Sequence, residues 1–197
     1  MTASASEKPL RVFIVHGYTA APDRHWFPWL KAEMESRHDA AVHIPAMPDP
    51  DTPCPKAWQK HLQDVIGTAD AHTYLIGHSL GSVAVLRYAA GLAADVTLGG
   101  VILVAGFNAP LPTLPALDGF MAEPAHTDAV IARSPKRAVI HSDNDAIVPP
   151  AFTADLAAAL DVAADVVPNG GHFLGDEGFR EFPLVYEKLQ RFMQGGT

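Results

Sequence analysis

The chain has 197 residues, enough to bury a core, with 48% hydrophobic and 18% charged content and a net charge of −8. An acidic balance without a Lys/Arg cluster repels polyanions and excludes a nucleic-acid role, and no apolar run approaches the roughly 20 residues that span a bilayer. The one cysteine, Cys54, makes no internal disulfide and fits a reducing cytoplasm, while the polar stretch from Met1 to Pro9 lacks the apolar region of a signal peptide.

Apolar runs rich in β-branched residues alternate with amphipathic stretches, the pattern of a parallel sheet covered on both faces. The first strand, over 11–15, runs into His16-Gly17-Tyr18. A helix follows over 25–37, where the spacing of Trp26, Phe27 and Trp29 favours burial against the sheet over a substrate shelf. A strand over 41–44 enters the segment 44–55, stiffened by Pro45, Pro48, Pro50, Pro53 and Pro55, before a helix over 56–68. The next strand, 73–76, and a helix over 79–93 flank Gly77-His78-Ser79-Leu80-Gly81.

After a strand at 100–105, residues 107–133 mix prolines with Leu111, Leu114, Leu117 and Phe120, too apolar for a solvated linker. A strand over 137–141 leads to an Ala-rich helix over 152–160, entered through Pro149-Pro150. A strand at 165–167 and a helix over 181–193, with Pro183 tolerable in its first turn, precede the tail Gly195-Gly196-Thr197. Loops leaving the carboxyl ends of such strands border the ligand crevice, so 44–55 and 107–133 are candidate pocket walls. With no repeat and no composition break, residues 1–197 read as one domain.

G-x-S-x-G between a strand and a helix forces the chain to reverse within about one residue, which strains the serine and presents its hydroxyl at the sheet's carboxyl edge. Glycines on either side let strand and helix approach closely. A serine hydroxyl needs a base, itself oriented by a third group. Downstream, His141-Ser142-Asp143-Asn144-Asp145 begins as a strand ends, so Asp143 and Asp145 are both candidate orienting acids. After the following strand, the glycine-flexed Asn169-Gly170-Gly171-His172 supplies the base. Ser, acid and His thus fall in the chain order of an α/β-hydrolase relay. The N–H of Leu80, after the nucleophile, and that of Tyr18, after Gly17, are the expected oxyanion donors.

These blocks, with His25-Trp26-Phe27-Pro28-Trp29-Leu30, Met47-Pro48-Asp49-Pro50, Val148-Pro149 and Gly170-Gly171-His172-Phe173-Leu174 through Asp176-Glu177-Gly178-Phe179, resemble the small bacterial members of the retinoblastoma-binding-protein-9-like branch of the α/β-hydrolase superfamily. The resemblance spans nearly the whole chain. It implies a three-layer α/β/α fold with a compact, mostly parallel sheet of about six strands and no large cap domain. It also implies a catalytic triad on Ser79, Asp145 and His172, choosing Asp145 over Asp143. The L-x-C-x-E segment linked to retinoblastoma-protein binding in the vertebrate relative is absent, because Cys54 lies in Pro53-Cys54-Pro55, so that partner is not expected.

The expected activity is therefore a cytoplasmic serine hydrolase acting through an acyl-enzyme on a small-molecule acyl substrate, with small carboxylic esters ahead of thioesters or amides. No cofactor is expected. Two rivals share the scaffold: a binding protein with a vestigial or slow triad, and an acyltransferase using the same acyl-enzyme. Other polar residues have plainer readings. His78 suits packing or a local hydrogen bond, and His16 suits bracing the oxyanion loop. His141-x-Asp143-x-Asp145 lacks the glycine and distal glutamate of a calcium loop, so no metal is expected. Cys54, with no base or helix N-terminus nearby to activate it, reads as a buried or inert thiol.

Overall fold

Six strands among the described residues form one sheet: β1 (Leu10–Val15), β2 (Ala40–His43), β3 (Thr73–His78), β4 (Gly100–Val104), β5 (Arg137–Ser142) and β6 (Ala164–Val167). The structure, a computed structural model, describes residues 8–195. The first seven residues of the stretch read for a signal peptide, and the last two of the tail, lie outside the described residues. The strand order is β2-β1-β3-β4-β5-β6 and every pairing is parallel. Because β2 lies outside β1 while β4 lies outside β3, the chain leaves the centre in opposite directions at β1 and β3. This is the switch point where open α/β sheets carry ligands.

The helices are α1 (Phe27–Arg37), α2 (Pro55–Ile66), α3 (Leu80–Ala90), α4 (Thr127–Arg133), α5 (Pro150–Ala159) and α6 (Pro183–Met193). The period-2 alternation of the strands divides the core into two layers. Val12, Ile14, Ile76 and Val104 join Leu30 and Met34 of α1 and Val185 and Leu189 of α6. Phe13, Val15, Leu75 and Leu103 face the other way, onto Trp58 and Leu62 of α2, Val83 of α3, Val130 of α4 and Leu156 of α5. Each fully buried side chain of this size contributes on the order of 1.5–3 kcal/mol, so both helical layers are held chiefly by the sheet between them. The three-layer arrangement is the one expected, and the sheet, expected to be mostly parallel, is parallel at every pairing.

Element ends differ from expectation for local reasons. α1 starts at Phe27, because His25 sits at φ 55° and Pro28 occupies the first turn. α2 stops before Gly67 at φ 61°, and α6 opens at Pro183, whose missing N–H is one that a first turn leaves unpaired. β3 runs two residues further than expected, since Gly77 and His78 still pair with Leu103 and Val104 of β4.

The segment 107–133, in which the sequence reading placed no helix, contains a short 3-10 turn at Pro115–Leu117 and the whole of α4. It folds down on α3: Arg87 donates to the carbonyls of Phe120 (2.7 Å) and Glu123 (2.5 Å). Asn108 closes the loop by pairing with both backbone groups of Ala125, at 3.0 and 2.8 Å.

Candidate active site

Ser79 occupies the single residue between β3 and α3, at φ 55° and ψ −126°. That backbone is strained for a residue with a Cβ, and the neighbours hold it there. Its N–H donates to Val104 O at 2.9 Å. A Cβ on Gly77 would lie 2.5 Å from the Ser82 Cα, and one on Gly81 would run into the Val15 carbonyl, so neither position admits a side chain without backbone movement. The reversal expected from G-x-S-x-G is present, with the serine 6% exposed.

His172 and Asp145 come together at the ends of β6 and β5. The His172 Nδ1 lies 2.7 Å from Asp145 Oδ2, with both side chains buried. The other carboxylate oxygen accepts the N–H groups of Ile147 (2.8 Å) and Val148 (2.9 Å). A carboxylate held at three points fixes the ring: Nδ1 carries the hydrogen, which leaves Nε2 able to take a proton. His172 and Ser79 line the same cavity, of about 370 Å³. Among the described residues the serine hydroxyl is not itself hydrogen-bonded to the imidazole, and such contacts tighten when substrate binds.

Asp143 is turned elsewhere, accepting the Asn169 N–H at 2.7 Å. His141 bonds its neighbour's carbonyl, so the three side chains of His141-x-Asp143-x-Asp145 take three separate partners.

Leu80 opens α3, and Tyr18 follows Gly17 in the lining of the cavity. Among the described residues neither N–H is paired within the protein. Gly17 lies under the nucleophile: a Cβ there would stand 2.9 Å from Ser79 Cβ and 3.3 Å from Oγ. His16 braces this loop. Its Nδ1–H donates to Gly17 O at 2.9 Å and its Nε2 accepts the Met47 N–H at 3.0 Å. Burial lowers its pKa and keeps it neutral, as that two-sided bonding requires.

His78 borders the same cavity, packs its ring on the α1 side against Trp26 and Phe27, and donates from Nε2 to the His172 carbonyl at 2.8 Å. Burial first, then the neighbouring His172, holds its pKa well below the ordinary imidazole value.

Other expectations are revised. None of 44–55 reaches the cavity; the segment lies behind the 17–19 loop, with Thr19 N–H on Pro50 O (3.0 Å) and Trp58 Nε1–H on Pro48 O (2.7 Å). Of 107–133, only Leu114 lines the cavity, together with Tyr18, Ile147 and Leu174. Trp26 and Phe27 are wholly buried, and Trp26 precedes α1 instead of lying within it. Cys54 departs most: it is exposed and sits at the N-cap of α2, on a separate hollow of about 410 Å³ beside Arg87 and Phe120.

Three residues given no site role in the sequence shape the His172 loop. Glu177 Oε2 accepts the N–H groups of His172 (2.8 Å) and Leu174 (2.9 Å). Asn144 accepts the Gly171 N–H at 2.8 Å, and His25 Nδ1 accepts that of Gly175 at 3.0 Å. Leu174 lacks the side-chain acceptor that heads a capping box, so Glu177 gave no capping signal in the sequence, and the other two contacts join distant segments.

Among the described residues no helix is long and apolar enough to cross a membrane. The serine hydrolase family model matches residues 12–191. The protein YdeN of Bacillus subtilis (strain 168) is 42% identical over 187 residues, covering 95% of this chain and 98% of its own length. Its crystal structure superposes with a TM-score of 0.90 over 94% of this chain and 99% of that one. Serine hydrolase RBBP9 of Rattus norvegicus is 25% identical over 83% of this chain and 86% of its own. A Xanthomonas campestris pv. campestris protein of the alpha/beta superfamily, 19% identical, shares the fold with a TM-score of 0.65 over 94% of this chain and 97% of that one.

Proposed function

Because this chain belongs to the serine hydrolase family of α/β-hydrolase fold, we propose that it cleaves small carboxylic esters, with thioesters and amides as related substrates, through an acyl-enzyme on Ser79. The observation that carries this reading is the buried Asp145–His172 pair, 2.7 Å apart, on the wall of the cavity that holds Ser79. In this mechanism His172 Nε2 takes the hydroxyl proton as Ser79 Oγ attacks the carbonyl carbon. Asp145 keeps the proton on Nδ1 and stabilises the imidazolium that forms. The free N–H groups of Leu80 and Tyr18 receive the oxyanion, each worth about 3 kcal/mol at the transition state. The imidazolium returns its proton to the leaving alcohol. Water, activated by the same ring, then releases the acid.

A cavity of about 370 Å³ supports a small substrate. Leu114, Ile147 and Leu174 offer an apolar wall to an acyl chain, and Arg24 is the one charged side chain among the lining residues.

The test is reaction with a fluorophosphonate probe, read by intact mass and peptide mapping, beside Ser79→Ala and His172→Ala. Stoichiometric labelling at Ser79 that depends on His172, followed by turnover of short-chain esters, is the expected result. A folded wild type that does not label overturns the reading in favour of a binding protein. Labelling with acyl transfer to an added alcohol or amine outrunning hydrolysis makes the enzyme an acyltransferase.

A further inference from the structure

His78 and Glu177 meet the two ends of His172's backbone. Glu177 accepts the His172 N–H at 2.8 Å, and His78 Nε2–H is accepted by the His172 carbonyl at 2.8 Å. The two come from unrelated places: Glu177 closes a short turn after the loop, while His78 is the residue before Ser79 on β3. Side chains alternate along a strand, so the residue preceding the nucleophile is carried to the sheet face opposite Gly77. There the His78 ring packs 4.9 Å from that of His172, with His25, Phe27 and Trp26 on its other sides.

The ring is buried, yet among the described residues its Nδ1 has no hydrogen-bond partner. An aliphatic side chain would fill this ring-lined site without stranding a nitrogen, so the polar ring carries a cost there that packing does not require. What it gains is one N–H, aimed at the backbone of His172. Burial keeps the ring neutral, so that single hydrogen stays on the bonded side.

We propose that His78 is a positioning residue that, together with Glu177, clamps the His172 peptide and so sets the distance between the imidazole and Ser79. The nucleophile and the base then share one ruler: His78 is covalently next to Ser79 and hydrogen-bonded to His172. This rests on the catalytic assignment of Ser79, Asp145 and His172 made above.

The experiment measures fluorophosphonate labelling rates and ester kcat and KM for wild type, His78→Leu, His78→Gln, Glu177→Ala and Glu177→Gln, with His172→Ala as reference. His78→Leu and Glu177→Ala are expected to lose about 10- to 100-fold in kcat and in labelling rate, the scale of a displacement of about 1 Å, with KM nearly unchanged. His78→Gln, whose amide reaches the same carbonyl, and Glu177→Gln, which keeps an acceptor, are expected to restore most of the rate. If either Leu or Ala variant is folded and labels at the wild-type rate, the clamp is refuted. Equal losses in His78→Leu and His78→Gln that track only the folded fraction also refute it. Should His78→Leu not fold, the Glu177 pair carries the same two outcomes. If wild-type labelling does not depend on His172, the catalytic assignment has failed instead, which separates the two conclusions.

Discussion

Replacing Asp145 by Asn keeps shape and volume but removes the negative charge and changes which atoms donate. Two backbone N–H groups, of Ile147 and Val148, point at Oδ1, while His172 Nδ1 meets Oδ2. The new amide has two orientations. With its oxygen toward the backbone it keeps two hydrogen bonds and presents NH2 to the histidine. Flipped, it keeps one and strands two N–H donors. A net hydrogen bond is worth about 0.5–1.5 kcal/mol and a stranded buried donor costs about 1–3, so the first orientation dominates.

In that orientation His172 must accept at Nδ1, which moves its proton to Nε2 and removes the base. The minority orientation restores the tautomer but not the negative charge that supports an imidazolium. The expected loss in kcat/KM is about 10³- to 10⁴-fold, or roughly 4–5.5 kcal/mol at about 1.36 per decade. The assay is hydrolysis of a short-chain ester by Asp145→Asn, with thermal unfolding to confirm the fold. A folded variant within tenfold of wild type refutes the assignment of Asp145.

Three further outcomes are expected. Buried His16 and His78 are held neutral, so the unfolded chain binds protons that the folded chain refuses. Stability should be full above about pH 6.5 and fall as pH drops below it toward the lowered folded values, by up to about 1.4 kcal/mol per pH unit per histidine. A melting temperature flat between about pH 7.5 and 5.5 contradicts this. Gly17→Ala puts a methyl 2.9 Å from Ser79 Cβ, and should lower kcat/KM by about 10- to 100-fold in a folded protein; an unchanged rate shows that the loop yields. Trp58→Phe removes the 2.7 Å bond to the Pro48 carbonyl from a wholly buried site, and should cost about 1–3 kcal/mol in urea unfolding, with a change below about 0.3 counting against it.

All six strands were legible because β-branched runs bounded by turn residues have few other readings. Gly77 and His78 were not read as strand, since glycine and a polar ring signal a turn locally while their pairing to β4 is a tertiary fact. α4 escaped notice because seven residues with one buried side chain hold no readable period, and prolines precede it. Cys54 was misplaced for a related reason: Pro55 read as coil, although proline is at home in the first turn of a helix.

At the candidate site, Ser79 and His172 were singled out because each falls in a glycine-flanked loop after a strand, in the Ser, acid, His order of this fold. Asp143 and Asp145 lie two residues apart, and only the turn at 145–148 decides which faces the histidine. The links from His25 to Gly175 and from His78 to His172 span 150 and 94 residues, beyond any local pattern.

The strand order also distributes the proposed machinery unevenly. Ser79 leaves β3, which is paired along both edges in mid-sheet, whereas the His172 loop leaves β6, a four-residue margin strand held by β5 alone, with Val166 54% exposed. Local opening draws on the least supported segments first. The outermost strand can therefore lift, carrying the base with it, while the nucleophile still sits in intact structure. Under heat or denaturant, silence should come before unfolding and reverse on return. A ligand bridging serine and histidine would close that gap by adding a second tie, beside the His78–His172 hydrogen bond, between the margin of the sheet and its centre.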